Sequence, residues 1–197
     1  MANPQQYDIL KQGAGVWNRW RKLYPDILPD LSGISLIKAN FIRTDFSRTD
    51  LSRARLSRID LSESNLREAN LSGTLLYRAN LNQVNLSKAN LSLAFLVRSE
   101  LIRANLNGAN LRGANLSKVD LYRADLMFAD LSETNLSETN LSGAYLNGAL
   151  LHRANLGYAD LSEADLSGTT LDESDLRGAT YAEEQLLQAR SYTNIIR

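Results

Sequence analysis

Few residues in this chain of 197 could do chemistry. There is no cysteine, so disulfides, thiolate nucleophiles and sulfur ligands for a metal are all absent. The single histidine, His152, stands in the stretch LLHRAN, and serines recur in LS pairs such as Ser52, Ser72 and Ser92. A hydrolytic centre needs a base held against its nucleophile and a third group to orient that base. His152 falls at a position that the surrounding pattern turns to water, so it is read as solvated, and the serines have no other base. Glu100 and Asp120 would share a cation, or raise the pKa of one of the pair, if the fold brought them together. The glycines make no phosphate-cradling motif, because they recur only as the surrounding pattern recurs. No catalytic, cofactor-binding or metal-ligating residue emerges, and the chain does not read as an enzyme.

The elements that would position such groups are set by repetition. Residues 104–121 read ANLNGANLRGANLSKVDL. Of the 30 positions from 31 to 176 that end in 1 or 6, 28 are Leu and two are Phe (Phe41, Phe46). Positions 34 to 179, two before each next centre, hold 17 Ala, 6 Thr, 3 Ser, 2 Val and 2 Ile. Between these and the centres, 21 of the 30 positions from 35 to 180 are Asn or Asp. On a helix at about 100° per residue, a five-residue step throws successive leucines about 140° apart. On a flat strand an odd step sends them to opposite faces. The pattern therefore demands a bend in every unit, all in one sense, so that each leucine and each small residue points at a common axis. The result is a solenoid with coils about 4.8 Å apart.

Tandem A(N/D)LSX units resemble the pentapeptide-repeat family, and matching units run from residue 30 to 180. The resemblance implies an all-β solenoid, a right-handed four-sided (quadrilateral) β-helix with four units to a coil. Thirty units then make about 7.5 coils and, at ~4.8 Å each, a rod of roughly 36 Å. The expected organisation is an N-terminal helical cap over 1–29, the β-helix over 30–180, and a C-terminal helical cap and tail over 181–197. All three prolines (Pro4, Pro25, Pro29) precede the repeats, as expected if each coil's amides donate to a neighbour. Eight of the 11 glycines occupy the last position of a unit, where a corner can use positive φ. Asn3-Pro4 predicts a helix start, followed by apolar Tyr7, Leu10, Ala14, Trp17 and Tyr24 with a break near Gly13 and Gly15. Thr180-Tyr181-Ala182-Glu183 predicts a capping box for a short second lid. Both ends are similar to terminal segments of cyanobacterial members of the family. The tail from Tyr192 to Arg197 either folds back or contacts another chain.

With the 20-residue coil that the resemblance implies, residues 20 apart stack. Glu100 then lies over Asp120, with Arg98 and Lys118 close by to compensate the charge. Lys38, Arg58, Arg78, Arg98 and Lys118 form one column. Beside it come Ile37, Tyr77 and Val97, and also Arg55, Leu75 and Phe95, which stand where the repeat normally has Asn or Asp. Exposed apolar groups rimmed with charge mark partner sites. The expected function is a non-enzymatic scaffold that presents flat faces to a protein partner, whose identity the sequence does not name. The alternative, from another class, is a DNA mimic that modulates DNA gyrase, as some family members do.

Charge bears on that choice. Lys plus Arg (22) equal Asp plus Glu (22), which gives no reason to expect nucleic acid or a membrane as partner. Residues 1–98 carry 14 basic and 8 acidic side chains, and residues 99–197 carry 8 and 14, so the chain is a dipole of +6 and −6. Mimicry needs a continuous anionic surface, and only one half is acidic. No secretory signal or apolar span is recognisable, and a soluble protein of the cytoplasm is expected, as monomer or homodimer.

Overall fold

The computed structural model describes residues 2–197. Every repeat unit begins with the same turn at its leucine. The carbonyl of Leu31 accepts the N–H of Ile34, and between them Gly33 has φ +69°. Positive φ at the third position marks a type II turn. Every corner from Gly33 to Gly178 has the same positive φ, and 22 of these corner residues are not glycine; the turn bond is replaced at Phe41, where the Thr44 N–H donates to Ser64 Oγ instead. A left-handed conformation costs an L-residue roughly 1–2 kcal/mol. It is offset because it aims the corner N–H at the next coil: Arg53 donates to the Ser72 carbonyl at 2.9 Å. Two more bonds per unit complete the ladder, Leu51 N–H to Asn70 C=O at 2.7 Å and Asn70 N–H back to Thr49 C=O at 3.0 Å.

Parallel bridges consequently join residues 20 apart, from Asp30↔Asp50 to Asp160↔Thr180. The chain returns over itself every 20 residues, with four corners in each return. Between corners only one residue is extended, so the sides consist of single bridging residues rather than continuous strands. A turn that uses four residues of a five-residue unit leaves room for no more.

The leucine centres from Leu51 to Leu176 are at most 1 % exposed, and the small residues lie between them. One buried Leu contributes about 1.5–3 kcal/mol, whereas ordering five backbones costs roughly 5–10 kcal/mol. Units are therefore stable only as stacked neighbours. Hydroxyls in the small-residue column donate to backbone carbonyls, some within their own turn, as Thr74 Oγ1 to Leu71 C=O at 2.7 Å and Ser174 Oγ to Leu171 C=O at 2.6 Å, and others one coil back, as Ser64 Oγ to Phe41 C=O at 2.7 Å and Thr139 Oγ1 to Leu116 C=O at 3.0 Å.

Corner glycines have a further cause besides φ, since most corners take positive φ without glycine. A Cβ on Gly148 would stand 2.8 Å from the Phe128 ring one coil earlier, and one on Gly178 would stand 2.7 Å from Tyr158. In these pairs glycine clears the space into which a large side chain leans.

The ends are stitched by side chains. Helix α1 (Pro4–Leu10) starts at Asn3, whose Oδ1 accepts the N–H groups of Gln5 and Gln6. Helix α2 (Ala14–Leu23) follows the break at Gly13, φ +99°. Leu10 and Trp17 are fully buried, while Tyr24, expected on the same apolar face, is half exposed. The open edge of the first coil is met by side chains that replace a preceding coil. Gln6 accepts the Asp30 N–H at 2.8 Å, Asn18 accepts the Asp45 N–H at 2.8 Å, and Trp17 donates to the Asp45 carbonyl at 2.7 Å. Buried Arg21 donates to the carbonyls of Ile27 and Ser47, both at 2.8 Å; burial lowers its pKa, and as an arginine it remains charged.

At the far end, helix α3 (Glu183–Leu187) is capped at Ala182, whose N–H donates to Gln185 Oε1 at 2.7 Å. The cap lies two residues beyond the expected Thr180, because Thr180 still serves the ladder: its N–H donates to Ala159 and its carbonyl accepts from Leu161. The Gln185 amide also donates to the carbonyls of Leu161 and Ala164, the second of which a further coil would have met with a backbone N–H. The tail folds back on its own chain. Bridges Thr170↔Ser191 and Asp175↔Ile196 continue the stack at a spacing of 21, and Asn194 takes the corner conformation with φ +54°.

Leu111→Asp places an unpaired charge on the axis and is expected to unfold several coils, seen as lost circular dichroism and protease resistance. Gly148→Ala is expected to destabilise by about 1–3 kcal/mol. If the Phe128 ring is the obstacle, Phe128→Ala with Gly148→Ala will recover part of the loss in a double-mutant cycle of denaturant unfolding.

Candidate functional site

Most bridging positions carry a side chain that serves the turn. Asp50 Oδ1 accepts the Ser52 N–H at 2.9 Å, Asp60 that of Ser62 at 3.0 Å, and Asn85 that of Ser87 at 3.0 Å. This is an Asx turn, and its net contribution is about 0.5–1.5 kcal/mol each. Serines at these places are held mainly by that backbone bond. The hydroxyls of Ser62 and Ser87 turn to the same Asp or Asn oxygen at 2.7 Å, while that of Ser167 donates to Gln188 Oε1 at 3.2 Å.

One column forgoes this bond for four coils in succession. Ser35, Arg55, Leu75 and Phe95 bridge to one another, and none accepts from the residue two positions on. The bond resumes at Asn115, with Ser117 N–H at 3.1 Å, and continues at Asn135, Asn155 and Asp175. Over the stretch without it, Leu75 is 41 % and Phe95 52 % exposed, Ile37 and Tyr77 are also exposed, and Val97 is half-buried. Leu93, at the corner before Phe95, adds a further exposed apolar group.

The cations alongside form the longest run of like charge among the corner columns, five in succession. Elsewhere some corner charges meet their opposite about one coil away, Arg43 with Glu63 at 2.8 Å, Arg153 with Glu173 at 2.7 Å and Glu133 with Arg112, while Arg48, Arg53, Lys88, Arg103 and Arg123 have no ion pair among the described residues. The carboxylates raise the pKa of Arg43 and Arg153 through the side-chain hydrogen bonds they accept. Lys118, the last of the predicted cationic column, pairs with Glu138 at 3.2 Å. Lys38, Arg58, Arg78 and Arg98 do not: among the described residues none is in an ion pair, nor is Arg55. Arg78 lies over the Tyr77 ring, 5.3 Å from its centroid, which joins the cationic and apolar columns. Farther along the same side is a shallow groove lined by Glu138, Asn155, Gly157 and Tyr158.

Sequence reasoning overlooked a second apolar group. Tyr145 and Leu150 also replace Asn or Asp at bridging positions, and both are about half exposed beside the corner residue Phe128. The signal that selected Leu75 and Phe95 would have found them.

Groups with chemical potential are otherwise occupied. Glu100 and Asp120 are bridge partners, and they accept the side-chain amides of Asn82 (3.0 Å) and Asn140 (2.9 Å). Among the described residues no three His, Asp or Glu side chains converge as a metal site would require. His152 lies one coil from Asp172, a neighbour that 20-residue spacing could have identified. Asp172 instead accepts the hydroxyls of Thr193 and Ser191 and the Thr193 N–H, all at 2.7 Å. These bonds, that of the Thr193 hydroxyl foremost, hold its pKa below the ordinary 3.8, with a last small contribution from His152. Serine and carboxylate are in direct contact here, with no histidine between them to act as a base.

Residues 30–58, 54–92, 94–132, 129–168 and 144–180 match the family of pentapeptide repeats, in 8 copies. Among solved structures the chain is similar to HetL, a pentapeptide repeat protein involved in heterocyst differentiation regulation from the cyanobacterium Nostoc sp. strain PCC 7120. The identity is 30%, with 90% of each chain covered and a TM-score of 0.38. Alr5209, also a pentapeptide repeat protein from Nostoc PCC 7120, is 35% identical over 56% of this chain and 82% of its own, with a TM-score of 0.22. QnrB1, a plasmid-mediated fluoroquinolone resistance protein, shares the fold at a TM-score of 0.57 and 17% identity, covering 85% of this chain and 86% of its own. No curated protein matches the chain. Among the described residues no helix is long and apolar enough to cross a membrane.

The Asp172 carboxylate anchors the tail only while ionised. A folded pKa below the unfolded 3.8 gives stability that is full above about pH 4 and lost as pH falls through the folded value. Hydrogen exchange of the Ser191–Ile196 amides is therefore expected to quicken in acid before the coils open, and Asp172→Asn to quicken it already at pH 7.

Proposed function

The chain belongs to the pentapeptide-repeat family, whose members fold as right-handed quadrilateral β-helices, and from that premise we propose that it is a non-enzymatic scaffold holding a protein partner on one flat side. In this reading residues 30–180 form the right-handed rod of about 7.5 coils, while 1–29 and 181–197 act as lids that keep its ends from pairing. The partner lies on the side bearing Ile37, Lys38, Arg55, Arg58, Leu75, Tyr77, Arg78, Phe95, Val97, Arg98 and Lys118.

The observation that supports this reading is the coincidence of two departures on one side. Four successive coils give up the Asx hydrogen bond in favour of Ser, Arg, Leu and Phe, and the adjoining column stacks four cations in succession, none in an ion pair among the described residues. Neither departure helps the chain to fold. Exposed apolar groups beside unpaired cations are what a partner would cover.

DNA mimicry directed at gyrase is the second reading, and it would use the acidic half. Four ion pairs interrupt the anionic surface there, at Glu133, Glu138, Glu173 and Asp175, and weaken its likeness to a phosphate backbone.

The test is affinity capture from host lysate with the intact protein, a Tyr77→Ser/Phe95→Asn/Val97→Ser variant, and an Arg103→Glu/Arg123→Glu control on another side. The first variant is expected to keep its stability within about 2 kcal/mol and lose a protein that the intact chain and the control retain. Gyrase subunits held equally by all three would favour mimicry instead.

A further inference from the structure

Resting on the scaffold reading, we infer that the partner presents an acidic amphipathic α-helix, laid along the rod with its carboxylates over Lys38, Arg58, Arg78 and Arg98 and its apolar stripe over Leu75, Tyr77 and Phe95. The charge sign follows from the column itself. These cations are exposed, stacked at 20-residue intervals and without ion pairs among the described residues, and with Lys118 they are the longest run of like charge among the corner columns. Anionic groups supplied from outside would give the first four the pairing that Glu138 gives Lys118. The column ends at the Lys118–Glu138 pair, which limits the complementary ligand to about four charges in a row.

The helical form follows from spacing. Stacked coils place successive cations about 4.8 Å apart, or about 14 Å across three intervals. A helix returns a side chain to the same face every turn, about 5.4 Å, so four carboxylates on one stripe span about 16 Å. That mismatch of about 2 Å is within the reach of flexible arginine side chains. An extended strand returns to one face every second residue, about 6.7 Å, and accumulates a mismatch of nearly 6 Å over the same span. The apolar groups agree with this geometry. Leu75 and Phe95 bridge to each other and are 41 % and 52 % exposed, and Arg78 over Tyr77 joins them to the cations, so charged and apolar stripes run side by side along the rod. An amphipathic helix presents the same two stripes.

The experiment uses the full chain and a fluorescein-labelled 21-residue peptide with glutamates and leucines on adjoining helical stripes. A second peptide has the same composition in alternating order with two prolines, and binding is read by fluorescence anisotropy. The helical peptide is expected to bind at least about tenfold more tightly than the alternating one, and Arg58→Glu/Arg78→Glu/Arg98→Glu to weaken it by about tenfold or more. Arg103→Glu/Arg123→Glu, an equivalent change on another side, should leave it unaltered, and added salt should weaken binding to the parent. Equal affinity for both peptides, no binding at low salt, or equal losses in both charge-reversed variants would overturn the inference. So would tighter binding of a duplex oligonucleotide to the same arginines, or a dimer in sedimentation that only the Arg58/Arg78/Arg98 variant dissociates, since a second copy would then cover the side. If the peptide fails while the Tyr77/Phe95/Val97 variant still loses its captured protein, the class of partner is wrong and the scaffold reading survives.

Discussion

Every fifth residue of the repeat region enters the left-handed part of backbone space, and the rest of the molecule depends on that corner. Positive φ aims the corner N–H at the coil above and turns the following residues inward, which is why Leu and Ala alternate around the axis. The conformation is costly for residues such as Arg98 or Glu133, and it persists because neighbouring coils fix it through three hydrogen bonds per unit. No unit holds the corner alone. An edge left open at either end would forfeit part of this support, and Gln6, Asn18 and Gln185 restore it with side-chain amides placed where backbone would have been.

Against so uniform a background, function shows as a departure. Among the outward positions it is the bridging residue whose side chain has a regular duty in folding, through its Asx bond. In four coils running that duty is dropped, and exposed Leu and Phe stand there beside arginines without ion pairs among the described residues. Phe128, Tyr145 and Leu150 are a milder case, since Phe128 leans over Gly148 and is partly explained by packing.

Much of this was legible in the residues because a five-residue period demands a bend in every unit, while the four-unit coil followed from the family resemblance. The leucine and alanine positions identify the interior, and Asn3-Pro4 identifies the first helix start. Other features depend on contacts between units that sequence order hides. Glycine at 148 or 178 reflects the side chain 20 residues earlier as well as its own φ. Helix α3 adds one residue to its coil, so the tail unit from Ser191 to Ile196 lies out of register with the repeat and escapes periodicity altogether. The cap of α3 was misplaced at Thr180 because capping boxes are local patterns, and the ladder had a prior use for that residue.

The central claim is that the Leu75 and Phe95 side has given up folding stability for exposed surface. Denaturant unfolding of Leu75→Asn/Phe95→Asn tests it directly. Restoring two Asx turns is expected to raise stability by about 1–3 kcal/mol, an unusual gain for replacing apolar residues with polar ones. A loss of stability of that size would show that these side chains are needed for packing, and would contradict the account.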